Sequence, residues 1–328
     1  MGIQTNGTTD VVLDIRDLEV VYDTPHGEVQ AVSDVSFNVR KGEAFALVGE
    51  SGCGKSTCAS AIMRIVSKPG RIKGGQVLSH GENLLALSED EMAHVRGHRI
   101  GMIFQNPLDS LNPVYTLGEQ IAESLMVDGM SKAEAMKRAE ETLRDVRIPD
   151  AAARMKQYPH EISGGMRQRV MIGMMLCREP EVLIADEPTT ALDVTTQAGI
   201  LDLMNDLRHE HGMALLLITH DFGIVADVAD RVGVMYAGQI VEVGDVFEIF
   251  DHPAHPYTRL LMRALPTISR GEGRLQTIPG TVPDLAALPH GCRFYDRCPR
   301  ACEACRNYQH ELVEITPGHL VACSRAEV

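Results

Sequence analysis

The sequence is short of positive charge: 31 lysines and arginines stand against 45 aspartates and glutamates, giving a net charge of −14 and a pI near 5.4. So acidic a chain is a poor general scaffold for nucleic acid, although the total leaves room for a local basic patch. Long apolar runs are missing as well. No stretch approaches the ~18 residues that cross a bilayer, and the opening MGIQTNGTTDVV has neither the basic nor the apolar region of a secretory signal. The chain is therefore expected in the cytosol. Cysteine is sparse through most of the length, where Cys53, Cys58 and Cys177 are isolated. It then crowds the end, with Cys292, Cys298, Cys302, Cys305 and Cys323 inside the last forty residues. In a reducing compartment such a cluster points to metal rather than disulfides. The 328 residues suffice for two unequal domains with a buried core.

What is present is organised around LVGESGCGKST, Leu47 to Thr57. It reads as a buried strand, a glycine turn and a helix, with Gly49, Gly54, Lys55 and Ser56 at phosphate-loop spacing. A triphosphate needs backbone N–H groups at a helix N-terminus. Gly49, Ser51, Gly52, Cys53, Gly54 and Thr57 would supply that cradle, Lys55 a point charge, and Ser56 a hydroxyl for Mg²⁺. Ahead of the loop, LEVVY and VQAVSDVSFNV form an antiparallel β piece with Val35, Phe37 and Val39 alternating against Ser36 and Asn38. Tyr22 lies at its tip, where it either packs or stacks on a base. After the loop a helix runs until Lys68, Pro69 and Gly70, GGQVLSHGENL reads as a hairpin, and SEDEMAHVRG as a capped helix start.

Arg99 to Pro113 reads as a strand breaking into a proline loop, with Gln105 at the strand's end. TLGEQIAESLMV and SKAEAMKRAEETLRDV carry helical spacing, so residues 109–165 read as an inserted helical subdomain. The SGGMRQR helix begins at Ser163, with Gly164 and Gly165 leaving its first N–H groups bare, a second anion site unless it is an ordinary capped helix. Val182 to Ala185 form an apolar strand ending in Asp186 and Glu187. Of these, Asp186 suits Mg²⁺ and Glu187 an attacking water. The strand MALLLITH ends in His220, structural if alone and a γ-phosphate contact if beside the acidic strand. From Asp251 the chain reads as loop-like, and a small core there needs a staple. Cys292, Cys298, Cys305 and Cys323, spaced C-x5-C-x6-C-x17-C, offer four thiolates for an iron–sulfur cluster or zinc, while Cys302 adds a C-x2-C with Cys305.

Taken together, these pieces over residues 11–250 resemble the nucleotide-binding subunit of an ABC transporter. The implied fold is α/β: a P-loop, RecA-type core with an antiparallel β-subdomain and a helical insertion, then a small cysteine-rich extension over 251–328, with residues 1–10 flexible. The resemblance makes Tyr22 the adenine-stacking residue and Gln105 the Q-loop lever, also beside Mg²⁺. Ser163 to Gly165 become the signature, Asp193 the D-loop and His220 the switch histidine. It also implies head-to-tail pairing, the signature of one subunit capping ATP on the other. IGMIFQNPLDSLNPVYTLGEQI, HPAHPYTRLLMRALP and PHGCRFYDRCP are similar to the oligopeptide/dipeptide importers. That branch implies a non-identical sister ATPase, two membrane permeases, an extracytoplasmic solute-binding protein, a place on the cytoplasmic membrane face, and a [4Fe-4S] cluster on the four cysteines. Cys53 departs from a more usual serine, and Gly173 from a more usual alanine, which weakens an exposed helix by about 1 kcal/mol. The rival readings are the same machinery carrying nickel, a sugar or a glutathione-like solute, and a soluble ABC ATPase of DNA or ribosome metabolism.

Overall fold

The computed structural model describes residues 10–105, 111–190, 192–264 and 277–326. Expectations for the first nine residues, for the proline loop at 106–110 and for the end of HPAHPYTRLLMRALP lie outside the described residues. In chain order come β1 (Val11–Thr24), β2 (Gly27–Arg40), β3 (Ala44–Val48), α1 (Lys55–Ile62), β4 (Gly70–Ser79), β5 (Glu82–Asn83), α2 (Glu89–His98) and β6 (Ile100–Ile103). Next are α3 (Leu117–Met126), α4 (Lys132–Asp145), α5 (Ala151–Arg154), α6 (Gly164–Leu176), β7 (Val182–Asp186), α7 (Val194–His211) and β8 (Ala214–Thr219). The last elements are α8 (Phe222–Val228), β9 (Arg231–Tyr236), β10 (Gln239–Asp245), α9 (Val246–Asp251), α10 (Pro256–Arg263), β11 (Val313–Thr316) and β12 (His319–Val321). They divide into two units, residues 1–39, 43–86 and 218–328, and residues 40–42 and 87–217.

In the first unit, β2, β1, β4 and β5 form a four-stranded sheet in that order. Val35, Phe37 and Val39 are buried on one face of β2, as the period of two requires. β1 and β4 run antiparallel, which puts Tyr22 opposite Gly70. A second group of strands has the order β11-β12-β10-β9-β3. β3 is buried throughout and pairs in parallel with β9, Phe45 against Arg231 and Val48 against Val234.

The stretch after Asp251, loop-like in sequence, is more ordered than its prolines suggest. It carries α10 and a β11–β12 hairpin whose β12 extends the sheet at β10, Glu242 opposite Val321. Nor does it build a small core of its own. Tyr257, Met262 and Phe294 enter the core made by Val232, Val234, Tyr236 and Val241, with Cys292 and Cys298 packed against it. The chain has no tryptophan and only 4% aromatic residues, yet three rings meet here. Tyr236 lies 4.6 Å from Tyr257 and 5.1 Å from Phe294, centroid to centroid. Beside them Glu242, fully buried, accepts from the N–H groups of Ala254 (2.7 Å) and His255 (3.0 Å) and hydrogen-bonds His319 Nε2 (2.8 Å). Three partners are what a buried carboxyl requires.

In the second unit the strand order is β8-β7-β6, with β6 parallel to β7 from Ile100–Val182 to Ile103–Ala185. All three are apolar and buried along their length, the pattern of strands covered on both faces. Helices α2, α3 and α4 each start at a capping box, Ser88 with Glu91, Thr116 with Glu119, and Ser131 with Glu134. Gly173 of α6 faces α4: an added Cβ would fall 2.9 Å from Thr142 Cγ2 and 3.3 Å from Val146 Cγ1. The glycine is thus a close-packing residue, and its propensity cost is offset by helix contact. Among the described residues no helix is long and apolar enough to cross a membrane.

Candidate functional site

The phosphate loop joins β3 to α1 and is shaped by backbone proximity. A Cβ on Gly49, at φ +152°, would fall 2.1 Å from the carbonyl oxygen of Met235, and one on Gly54, at φ +106°, 2.5 Å from that of Ala31. Any side chain at either position would push the loop off the strands beneath it. Lys55 is 5% exposed, and its ammonium donates to the carbonyls of Gly49 (2.7 Å) and Glu50 (3.1 Å). Ser51, Gly52 and Ser56 are exposed, with Thr57 half-buried. This is a cradle of small residues and backbone opening onto a helix N-terminus, the fit that a polyphosphate requires. Cys53 differs from its neighbours. Its thiol is fully buried, 3.7 Å from Lys55 Nζ, and burial raises its pKa, so its side chain faces the interior and only its backbone belongs to the cradle. Tyr22 is half-buried, and its ring covers Gly70, where a Cβ would meet Cε1 at 2.7 Å. His220 stands exposed at the end of β8.

In the second unit the end of β7 gathers four residues, Asp186, Glu187, Gln105 and Thr190. Asp186 is 5% exposed, and Glu187, half-buried at φ +46°, turns the chain sharply away from the strand. Glu187 Oε2 accepts from Gln105 Nε2 at 2.8 Å and from Thr190 Oγ1 at 2.9 Å. The Gln105 nitrogen is thereby committed to Glu187, leaving its carbonyl oxygen as the atom of that side chain that suits a cation. Sequence reasoning named Gln105 and Glu187 but missed Thr190, whose signal was its place three residues after the strand-end acid.

Ser163 caps α6, accepting from Met166 N at 3.3 Å. Asp193 caps α7: Thr196 N (2.9 Å) and Thr196 Oγ1 (2.7 Å) both donate to it, and these bonds hold its pKa below the usual aspartate value. The two caps are interlocked, since a Cβ on Gly165 would lie 2.5 Å from Thr196 Cγ2.

The cysteine cluster shares one neighbourhood. Cys292 N donates to Cys305 O at 2.9 Å, and the Cys302 and Cys305 sulfurs are 3.6 Å apart. Burial pushes the Cys292 thiol up to about 11, helped by Cys323, Cys298 and Cys305, and raises Cys298 and Cys323 in the same way, so Cys292, Cys298, Cys305 and Cys323 are neighbours. Among the described residues no set of three or more histidines, cysteines or acids is close enough to hold a metal ion as placed.

Residues 32–190 match the family model described as ABC transporter, and residues 241–305 that described as oligopeptide/dipeptide transporter, C-terminal region. The chain is 51% identical to a probable peptide ABC transporter ATP-binding protein of Sinorhizobium fredii, over 99% of this chain and 98% of that one. It is 49% identical to the oligopeptide transport ATP-binding protein OppD of Salmonella typhimurium, over 96% and 93%. Among solved structures, the dimeric post-hydrolysis state of the ATP-binding cassette MJ0796, bound to ADP and Pi, superposes with a TM-score of 0.64 at 27% identity, covering 71% of this chain and 98% of that one. The chain therefore belongs to the ATP-hydrolysing ABC transporter family, in the branch that carries the oligopeptide/dipeptide transporter C-terminal region.

Proposed function

We propose that this chain is the ATP-hydrolysing subunit of a peptide importer, working on the cytoplasmic face of the membrane. The observation that carries the reading is a complete phosphate loop and acidic strand joined in one chain to the peptide-transporter C-terminal region. Within it, the loop from Gly49 to Thr57 cradles the phosphates, Lys55 supplies charge, and Tyr22 stacks on adenine. Ser56, Asp186 and the Gln105 carbonyl would hold Mg²⁺, which supplies charge neutralisation on the phosphates. Glu187 orients the attacking water and His220 contacts the γ-phosphate. The hydrogen bond from Gln105 to Glu187 ties hydrolysis to the Gln105 loop and, through it, to two permeases. Ser163, Gly164, Gly165 and Asp193 serve the ATP of a non-identical sister subunit, and a solute-binding protein delivers the cargo. An iron–sulfur or zinc centre on Cys292, Cys298, Cys305 and Cys323 rests on their spacing and on the family resemblance. Iron, sulfide and zinc analysis of protein purified without oxygen decides it.

The test is capture of the tagged chain from gently solubilised membranes of its own organism. Two multi-span permeases and a second ATPase are expected. Enrichment of soluble nucleic-acid or ribosomal proteins alone would overturn the transporter reading. Uptake by the reconstituted complex then separates peptide from nickel, sugar or glutathione-like cargo.

A further inference from the structure

Glu50 is the second residue of the phosphate loop, a position the loop motif leaves open, and every polar group it has is engaged. Its N–H donates to Tyr257 Oη at 3.1 Å. Its carbonyl accepts from Lys55 Nζ at 3.1 Å and Cys53 N at 3.3 Å. Its carboxylate takes a two-pronged pair from Arg297, Nη1 to Oε2 at 2.8 Å and Nη2 to Oε1 at 3.0 Å. Tyr257 and Arg297 both belong to the C-terminal extension, 207 and 247 residues along the chain from Glu50.

Arg297 is itself fixed from every side. Its Nε donates to Pro279 O at 2.9 Å and its Nη1 also reaches Tyr236 Oη at 3.3 Å. Its guanidinium carbon lies 5.7 Å from the Tyr236 ring centroid and 5.9 Å from that of Phe294. The Arg297 side chain is 5% exposed against 28% for Glu50. Arg297 is therefore the buried anchor, fixed by the extension, and Glu50 the more exposed group that it holds. A planar fork on a carboxylate also sets orientation, which a single point charge cannot.

We propose that Arg297 is a positioning residue for ATP binding: through Glu50 the C-terminal extension holds the phosphate loop in its binding form. The proposal rests on the reading that this loop binds the triphosphate. Its consequence is quantitative. A loop found in its binding form only a tenth of the time binds about ten-fold more weakly, with no contact to the nucleotide changed.

The experiment is MgATP titration of the purified full chain. Arg297→Gln and Glu50→Gln are each expected to raise Kd about ten-fold, and the double variant by no more than either alone, because both break one link. Arg297→Lys keeps the charge without the fork and is expected to lose about three-fold, and it carries the test if Arg297→Gln does not fold. His319→Gln, which removes the Glu242 contact elsewhere in the extension, lowers the melting temperature and leaves Kd unchanged. Wild-type affinity in the Arg297 variants, losses that multiply in the double variant, or equal weakening by His319→Gln would each overturn the proposal. Lys55→Ala distinguishes that failure from failure of the underlying reading: if it too binds MgATP normally, the loop is not the nucleotide site.

Discussion

Glu187→Gln separates chemistry from architecture at the end of β7. The substituted side chain has the same shape, and its retained oxygen can still accept from Gln105 Nε2 and Thr190 Oγ1, now 2.8 Å and 2.9 Å from Oε2. What changes in the fold is that two charge-assisted hydrogen bonds become neutral ones. At a half-buried site that costs about 1–2 kcal/mol in total. What changes in the chemistry is the loss of the carboxylate that polarises the water, about 10²- to 10⁴-fold in turnover, or roughly 3–5 kcal/mol of barrier. The second figure exceeds the first, so the two effects are separable. The assay is steady-state phosphate release by the assembled transporter, run beside MgATP titration and thermal melting of the same preparation. Turnover should collapse while Kd stays within about two-fold, because a uniform-binding contact is not what was removed. Turnover within about three-fold of wild type in a correctly paired complex would remove Glu187 from the role of base.

Gly165→Ala should cost roughly 1–3 kcal/mol of packing at Thr196 and depress turnover of the pair. Adding Thr196→Ser, which deletes the obstructing methyl and keeps the hydroxyl on Asp193, should recover it, and failure to recover would dissociate the two caps. Gly173→Ala should leave the melting temperature unchanged or lower it, since a helix-propensity gain of about 1 kcal/mol meets Thr142 at 2.9 Å; clear stabilisation would show that α4 gives way freely. Burial pushes His255 down to about 4 while its Nδ1 accepts from Tyr257 N at 3.0 Å, so the folded state disfavours protonation. Its stabilisation is complete above pH ~6.5 and lost as pH falls toward 4, worth at most about 3 kcal/mol. His255→Asn keeps a cap acceptor without titrating, and denaturant midpoints from pH 7 to 4.5 should then show a shallower acid slope.

The parts of the molecule that sequence discloses are those whose physics is local. The phosphate loop is legible because Gly49 and Gly54 answer to backbone contacts that no other residue tolerates, and the capped helices because Ser or Thr with Glu three residues on satisfies N–H groups within one turn. The continuous apolar run of β7 announces a strand buried on both faces, and so its terminal acids. Legibility fails where an unusual backbone turn or a distant partner decides the contact. Thr190, three residues on, looks like any turn threonine until Glu187 doubles back at φ +46° to meet it. The cysteines are legible only in part: their spacing suits a metal, but spacing is silent on the apolar core against which Cys292 and Cys298 pack.

In the extension, distant partners decide the whole design. Its prolines and scattered cysteines suggest an appendage needing its own support, because nothing within it periodically repeats. In the structure Tyr257, Phe294 and Arg297 are spent on the nucleotide-binding unit instead: Tyr257 and Phe294 complete a core begun by Tyr236, and Arg297 crosses to Glu50. An appendage that merely stabilised itself would satisfy its buried arginine internally. This one satisfies it on the phosphate loop, so the Arg297–Glu50 link and order in the loop are one equilibrium: what breaks that link must also loosen the hold on ATP, while loosening the extension elsewhere, as at His319, need not.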